Sequence, residues 1–391
     1  MSEPASPDPY EHLRYSLDTT ARAYSGRNAF YAYPARFHPQ IARDLISEYS
    51  RPEDRVLDPF MGGGTSVVEA ISLGRYAIGS DINALAQFVT DVRTRPLSSM
   101  DKAELHRWTG MVEDESLKDE LTLGPRTNVI NLPASAGAFF SSAIELSRFL
   151  PPRRSRFARA ALLRLGQLTL DSRVSDLPTP CEMATKLQVV LDQLISTIDQ
   201  LVLDCRESGV AKNSITSRRL LLRRTAVGLD ADPRLHQSLG KIRLVVTSPP
   251  YPGVHVLYHR WQYRGRRETP APYWIAGVPD GLGASHYCGG SRTPTGLRNY
   301  FEMIHRVFRA IRHMMHPDGL VAQVVGFADP PCHLPMYLDS MERAGFRDVG
   351  IDGSGERIER VVANRKWYTN LVERPTSFTE ILLLHRVRQH H

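Results

Sequence analysis

Cysteine is scarce in this chain of 391 residues. The four cysteines, Cys181, Cys205, Cys288 and Cys332, lie far apart and form no C-x-x-C pair. Zinc sites and the disulfide frameworks of small secreted domains depend on closely spaced cysteines. The sequence therefore predicts neither a metal site nor a disulfide scaffold, and it favours a reducing cytoplasm.

Long apolar runs are also missing. A helix needs roughly 20 consecutive apolar residues to cross a bilayer, and no run in the sequence approaches that length. The first ten residues are polar and contain prolines, unlike a secretory signal peptide. We therefore expect a soluble, cytoplasmic protein without a membrane partner.

The charge balance is basic, with 49 Lys and Arg against 42 Asp and Glu and a formal net charge of +7. This excess favours a polyanionic partner but also suits an ordinary solvated basic protein. The length accommodates one α/β domain of about 200 to 250 residues with material left over. One catalytic domain with insertions is the expected organisation.

Short apolar runs alternate with helical patterns in the first hundred residues. The runs are 55–58 (RVLD) and 76–80 (YAIGS), and helical spacing follows at 65–73 and 84–92. A further run, 242–247 (IRLVVT), is continuous enough for a central parallel strand buried on both faces. This order predicts an α/β fold with a Rossmann-like, doubly wound and mainly parallel sheet.

The pattern divides the chain into four parts. Residues 1–29 are expected to form an N-terminal arm, irregular from 2 to 18, and 30–97 the cofactor-binding half of the catalytic domain. Residues 98–220 show apolar residues at helical spacing, which predicts a helical insertion and a candidate target-recognition region. Residues 221–391 complete the catalytic half, and strand signals there are expected at 226–229, 242–247, 320–327, 348–352 and 380–386.

A glycine-rich turn, Asp58-Pro59-Phe60-Met61-Gly62-Gly63-Gly64-Thr65, follows the first predicted strand. Glycines there let the backbone turn sharply and approach a ligand closely. Asp81 ends the second predicted strand, where a carboxylate can accept hydrogen bonds from both ribose hydroxyls of a nucleoside. Each feature alone is compatible with ordinary structure, but together they predict a nucleoside site.

A proline motif, Thr247-Ser248-Pro249-Pro250-Tyr251, follows the buried run at 242–247. Two successive prolines fix φ and restrict the residue before each, so the loop is rigid. Ser248 and a proline carbonyl can then accept hydrogen bonds from an amino group, while Tyr251 offers a ring for stacking a base. The motif therefore indicates chemistry on an exocyclic amine.

These motifs resemble the amino-methyltransferase family that makes N4-methylcytosine or N6-methyladenine in DNA. The resemblance rests on DPFMGGGT, Asp81 and TSPPY, and it covers residues 30–95 and 223–330. It implies a class I methyltransferase fold, S-adenosyl-L-methionine as cofactor and DNA as partner. The serine form of the proline motif is more similar to the cytosine-N4 branch than to the adenine branch.

The resemblance also implies residue roles. The family's F-x-G-x-G turn binds the methionine part of the cofactor, which corresponds to Phe60, Gly62 and Gly64, and Asp58 would face the cofactor amino group. The catalytic loop would be Ser248, Pro249, Pro250 and Tyr251. The remaining expected cofactor contacts are Phe37, His38, Pro59, Thr65, Asp81, Ile82 and Asp230, with Asp232 as a rival of Asp230.

Two basic segments compete for DNA contact. Residues 151–164 carry Arg153, Arg154 and Arg156, although a solvated helix face explains them equally well. Residues 255–267 interleave aromatic and basic side chains beside the proline motif, and aromatic planes next to guanidinium groups suit bases and phosphates. The predicted contacts there are Arg260, Trp261, Arg264, Arg266 and Arg267.

The resemblance implies a site-specific DNA methyltransferase that acts on cytosine N4 in restriction-modification or phage defence, with a cognate restriction endonuclease as partner. Methylation of a ring carbon needs an attacking thiolate, and no Pro-Cys pair stands at the expected place. Three alternatives stay open: an adenine-N6 enzyme, an RNA amino-methyltransferase, and a catalytically inactive DNA-binding subunit.

Overall fold

The computed structural model describes residues 10–19, 26–33, 38–118, 127–171, 176–252, 260–263, 267–280, 293–351, 355–362 and 378–389. An eight-stranded sheet forms the centre of these residues, and a two-stranded hairpin lies apart from it. The strands are β1 (Arg55–Asp58), β2 (Tyr76–Asp81), β3 (Arg219–Arg223), β4 (Ile242–Thr247), β5 (Trp261–Tyr263), β6 (Arg267–Thr269), β7 (Met315–Phe327), β8 (Phe346–Asp348), β9 (Ile358–Val362) and β10 (Phe378–Val387).

The sheet is mainly parallel. Its order is β3-β2-β1-β4-β7-β10-β8, and β9 pairs with β10 outside this path. The first five strands pair in parallel, whereas β10 runs antiparallel to β7, β8 and β9. This arrangement confirms the predicted fold class, a doubly wound and mainly parallel α/β sheet.

Eleven helices of the described chain surround the two sheets. They are α1 (Glu11–Asp18), α2 (Pro39–Tyr49), α3 (Thr65–Ser72), α4 (Ala84–Arg93), α5 (Ser99–Ser116), α6 (Ala134–Ser147), α7 (Pro152–Leu170), α8 (Pro180–Glu207), α9 (Ala271–Ala276), α10 (Pro294–Met314) and α11 (Pro330–Arg343).

Alternate residues of each strand enter two separate cores, because successive side chains of a strand point to opposite faces. Val56 of β1 and Leu244 of β4 pack with α2 and α3 on one face. Leu57 and Val245, their neighbours in sequence, pack with α10 and α11 on the other. Both faces are therefore covered, which explains the continuous apolar sequence of β4.

The helical insertion is confirmed, but it is not a separate body. Helices α5 to α8 share one apolar core with α4, α9 and the start of the hairpin. Trp261 of β5 is 2% exposed in this core, and Phe88 of α4 lies in the same cluster. The insertion is therefore fused to the helix that directly follows β2.

Three predictions of local structure are wrong. Strand β8 ends at Asp348, so the strand expected at 348–352 is displaced, and Gly350 there is left-handed, with φ 62°. Residues 11–18 were expected to be irregular, yet they form α1, whose Leu13 and Leu17 are buried against α2. A strand was expected at 226–229, but β3 lies earlier and Gly228 there is left-handed, with φ 67°. The run at 226–229 is a turn because its glycine breaks the extended conformation.

None of the helices in the described residues is long and apolar enough to cross a membrane. Cys181, Cys205 and Cys332 are free thiols. Cys288 lies outside the described residues.

Candidate active site

The carboxyl ends of three neighbouring parallel strands form the candidate site. Asp58 ends β1, Asp81 ends β2, and Ser248 follows β4 directly. Since β2, β1 and β4 are adjacent and parallel, their ends meet at one edge of the sheet. The Thr247 hydroxyl donates to the Asp58 carboxylate at 2.7 Å, which joins the two predicted motifs directly.

Asp58 is the buried centre of this junction. It also accepts from the Phe60 amide at 3.0 Å and from the Ser66 hydroxyl. Burial raises its pKa to about 6, although these hydrogen bonds act in the opposite direction. Asp58 therefore holds the glycine turn and the proline loop in register, a role that the sequence motifs did not indicate.

The glycine turn is dictated by close packing. Gly64 is left-handed, with φ 74°, and a Cβ there would lie 2.4 Å from Thr90 Cγ2 of α4. A Cβ on Gly63 would lie 2.6 Å from Tyr33 Cβ. Real side chains do not tolerate such distances, so the turn needs glycine at both positions.

A buried arginine fixes the same turn. Arg93 of α4 donates to the Gly63 carbonyl at 2.7 Å and to the Asn28 side chain at 2.9 Å. Asn28 in turn donates to Glu69 at 2.8 Å, and Glu69 pairs with Arg27 at 2.6 Å. Sequence reasoning missed Arg93, because nothing in its local pattern separates it from a surface arginine.

Asp81 and Ile82 face the turn from the end of β2. Asp81 accepts from the amides of Asn83 at 2.8 Å and Gly62 at 3.0 Å, and burial raises its pKa to about 6. Ile82 is 36% exposed, so an apolar side chain stands in solvent beside the carboxylate. A carboxylate next to an open apolar surface suits the ribose and base of a nucleoside.

Thr65 gives an independent indication of a ligand. This residue begins α3 and is 3% exposed, and its side-chain oxygen has no hydrogen-bond partner among the described residues. Buried hydroxyl groups are normally paired, so an orphan in the glycine turn calls for an explanation. A polar ligand in the turn provides one. Pro59, in the same turn, is buried beside Asp58.

The proline loop presents Tyr251 in a fixed place. Its hydroxyl donates to Glu380 of β10 at 2.9 Å, and Ser248 lies 3.5 Å from the same hydroxyl. Ser248, Pro250 and Tyr251 are partly exposed, whereas Pro249 is buried. Three of the four predicted catalytic residues are therefore accessible at the edge that carries Asp58 and Asp81.

Another predicted cofactor contact, Asp230, is not brought to this edge. Phe37 lies outside the described residues, and the His38 side chain caps α2 by accepting from the Gln40 amide at 3.2 Å. Asp230 pairs with His313 at 2.8 Å. Since α10 ends there and leads into β7, this pair lies at the opposite, amino edge of the sheet. Its rival Asp232 is buried between two arginines.

The described residues of the basic segment after the proline loop have different environments, some exposed and some engaged within the protein. Arg267 is exposed and has no ion-pair partner among the described residues, whereas Arg260 pairs with Asp280 at 2.9 Å. Trp261 is buried, and its indole nitrogen lies 3.4 Å from the Tyr31 hydroxyl, so its ring packs in the protein. Arg264 and Arg266 lie outside the described residues.

The second basic segment, at the start of α7, is engaged within the protein. Arg154 donates to Asp101 at 2.7 Å and pairs with Glu104. Arg153 donates to the Pro96 carbonyl, and Arg156 pairs with Asp91 at 3.2 Å. These contacts support the structural explanation of this segment better than a role in DNA binding.

Known proteins resemble the first part of this site. Residues 12–87 match the model of a family described as DNA methylase, of the N6 and N4 type. The type II methyltransferase M.MvaI of Kocuria varians is 38% identical over 84 residues, 21% of this chain. The type II methyltransferase M.MjaII of Methanocaldococcus jannaschii is 29% identical over 66 residues, 17% of this chain. The alignments span 18% and 12% of these relatives' own lengths.

Solved structures resemble the chain weakly. TrmN from Thermus thermophilus has a TM-score of 0.29 and 14% identity, over 89% of this chain and 48% of that one. The rRNA methyltransferase aviRa from Streptomyces viridochromogenes has a TM-score of 0.31 and 10% identity, over 97% of this chain and 94% of that one. TM-scores this low assign no fold or function, and the fold class is assigned from the strand order.

The matched segment ends before the proline loop and contains most of α1, the glycine turn and Asp81. The sequence analysis predicted this family from the glycine turn, Asp81 and the proline motif, and the matched segment contains the first two of these. Residues 12–87 are therefore similar to the DNA methylase family of the N6 and N4 type.

Proposed function

We propose that this protein transfers a methyl group from S-adenosylmethionine to an exocyclic amino group of a DNA base. The hydrogen bond of 2.7 Å between Thr247 and Asp58 carries the proposal. It joins the proline loop, whose acceptors suit an amine, to the glycine turn, which lies within the residues that match the methylase family. The names of the relatives, type II methyltransferases, support the same activity.

The residues at the edge of β1 and β2 fit the cofactor. Asp81 accepts hydrogen bonds, Ile82 offers apolar surface, and Thr65 has an orphaned hydroxyl in the glycine turn. Phe60, Gly62 and Gly64 line the same turn. When bound, S-adenosylmethionine supplies an electrophilic methyl group on a sulfonium. The protein's task is then to position the acceptor, since alignment of reacting atoms provides much of the rate.

The proline loop holds the acceptor amine. The Ser248 hydroxyl and the Pro249 carbonyl accept hydrogen bonds from the amino group and favour the nitrogen geometry of the transition state. Tyr251 stacks on the base, which must leave a duplex to reach the loop, at a cost of a few kcal/mol. The loop lies outside the residues that match the family, so its role rests on geometry.

Cytosine N4 is the proposed acceptor, because the loop begins with serine as in the cytosine-N4 branch. Mass spectrometry of nucleosides from DNA incubated with the protein and labelled cofactor tests base and atom together. N4-methylcytosine is the expected product, and Ser248→Ala is expected to lower its yield. N6-methyladenine alone would correct the base, 5-methylcytosine would overturn the mechanism, and labelled RNA without labelled DNA would overturn the substrate.

The setting of this activity is part of the proposal. Type II methyltransferases such as the two relatives suggest restriction-modification, with a cognate restriction endonuclease as partner. The three free thiols fit a reducing cytoplasm. Protection of DNA from a paired nuclease in cells that express this protein is the corresponding test.

A further inference from the structure

The Tyr251 hydroxyl points at a carboxylate that lies far away in sequence. It donates to Glu380 Oε1 of β10 at 2.9 Å. The Glu380 side chain is only 8% exposed, so this acceptor is desolvated. A hydrogen bond to a buried ionised group is stronger and more directional than one at the surface.

Glu380 is itself held from the other side. Arg360 of β9 donates to Glu380 Oε2 through Nε at 3.0 Å and through Nη2 at 2.5 Å. The two residues are direct cross-strand partners, so their side chains lie on the same face of the sheet. Arg360 also donates to the Leu17 carbonyl at the end of α1. One carboxylate oxygen is thereby committed to Arg360, and the other receives Tyr251.

The ring of Tyr251 packs closely against β7, at the residue that pairs with Glu380 across the sheet. Gly326 of β7 is the direct cross-strand partner of Glu380. A Cβ on Gly326 would lie 2.4 Å from Tyr251 Cε2 and 2.6 Å from Cδ2. The ring therefore rests on bare backbone while its hydroxyl is tied to the neighbouring strand.

We propose that Glu380, fixed by Arg360, is the positioning residue that holds Tyr251 in the orientation for stacking the target base. The ring packs against the backbone of Gly326, and its hydroxyl is oriented by the hydrogen bond to Glu380. The two prolines restrict the backbone that carries the ring. Pre-ordering a side chain before binding removes the entropic cost of ordering it in the complex. This inference rests on the proposed function, because it gives Glu380 an effect through the base-stacking tyrosine.

A double-mutant cycle on the full chain tests the inference. Tyr251→Phe and Glu380→Leu are each expected to lower the single-turnover rate of DNA methylation by about tenfold, because each removes the same hydrogen bond. The combined variant is expected to be no slower than either single variant. A combined loss of about a hundredfold would show independent effects and overturn the inference.

Two further variants separate positioning from general disruption. Glu380→Gln keeps one acceptor oxygen, which Tyr251 and Arg360 must share, so its rate is expected to lie between those of the wild type and Glu380→Leu. A rate as low as that of Glu380→Leu would overturn positioning by this hydrogen bond. Glu359→Gln, an exposed carboxylate on the same strand as Arg360, is the matched control and is expected to change nothing. If the leucine variant does not fold, Glu380→Ala replaces it in the cycle.

A second readout does not depend on methylation. With 3-fluorotyrosine at position 251, a single fluorine resonance is expected to shift and broaden in Glu380→Leu and to stay in place in Glu359→Gln. An unchanged resonance in Glu380→Leu would overturn the inference even if the rates fell. A wild-type protein that methylates no DNA would instead overturn the proposed function, and the fluorine resonance would still decide whether Glu380 fixes the ring.

Discussion

At the scale of single residues, the ionisation of the two carboxylates of the site lowers the stability of the fold. The pKa of Asp58 and that of Asp81 are both raised to about 6 by burial, so folding favours the neutral form of each group relative to the unfolded chain. A raised carboxyl pKa stabilises the fold fully below the unfolded pKa, near 4, and this stabilisation is lost as pH rises through about 6. Above a pH of about 6, the ionised carboxylates of the ligand-free site therefore lower the free energy of unfolding.

Cofactor affinity is expected to follow the ionisation of Asp81. Only the ionised group accepts from both ribose hydroxyls, so lowering the pH from 7.5 to 5.5 across a pKa of about 6 should weaken binding by about fourfold. Isothermal titration calorimetry of S-adenosylmethionine at the two pH values measures this change.

The control for this prediction is Asp81→Asn, which removes the titrating group. It should bind weakly at both pH values and lose the difference between them. An Asn variant with the wild-type pH dependence would assign the effect to another group and remove Asp81 from the ribose site.

At the scale of elements, substitution of a glycine in the glycine turn is expected to destabilise the fold for two separable reasons. Gly64→Ala introduces both a strained left-handed conformation and a Cβ 2.4 Å from Thr90 Cγ2. The first costs about 1 to 2 kcal/mol and the second about 1 to 3 kcal/mol. Urea denaturation of the variant measures the total.

Gly209→Ala is the matched control, because Gly209 is also left-handed, with φ 77°, but a Cβ there meets nothing within 4 Å. It should lose only the conformational part of the free energy of unfolding. Equal losses at the two positions would show that the contact with Thr90 relaxes without cost.

Helix α7 holds the backbone of residues 26–33, whose Tyr33 packs against the glycine turn. The Gln167 side chain accepts from the Ala32 amide at 2.9 Å and donates to its carbonyl at 2.8 Å, as a neighbouring strand would. Gln167→Leu should leave both backbone groups unpaired and speed amide exchange around Ala32. Hydrogen-exchange mass spectrometry detects this loss of protection.

Gln188→Leu on α8 is the control for that experiment, since the Gln188 side chain donates to the Glu113 side chain at 2.6 Å. Exchange around Ala32 should stay slow in this variant. If it also speeds exchange there, the insertion stabilises the segment as a whole and the effect of Gln167 is not specific.

The accuracy of sequence prediction follows the strength of the local signal. Strands β1, β2 and β4 were located because an apolar run ends at an acid or a proline motif. Strand β3 was misplaced, because RLLLR is short and flanked by arginines, and α1 was missed because its eight residues have few apolar positions. The contact of Tyr251 with Glu380 spans 129 residues of sequence, so no local pattern indicates it.

At the scale of the whole molecule, the net charge of +7 is expected to act through exposed cations. Arg267 is exposed without an ion-pair partner among the described residues, whereas Arg154 is engaged with Asp101 and Glu104. Arg267→Ala should weaken DNA binding and reduce the salt slope by about one unit. Fluorescence anisotropy over a salt series measures both quantities.

Arg154→Ala provides the contrast, because it should leave the salt slope unchanged and lower the stability of the α5 and α7 contact. An unchanged slope in Arg267→Ala together with a reduced one in Arg154→Ala would exchange the two roles and make the start of α7 the phosphate-binding surface.

The position of the insertion between β2 and β3 has a consequence for biosynthesis. The β2 edge that pairs with β3 stays open until about 140 more residues have been made, roughly 7 to 28 s at ribosomal rates. An open strand edge pairs readily with other chains. The β2 edge is therefore expected to be exposed to aggregation during translation, until β3 has been made and paired.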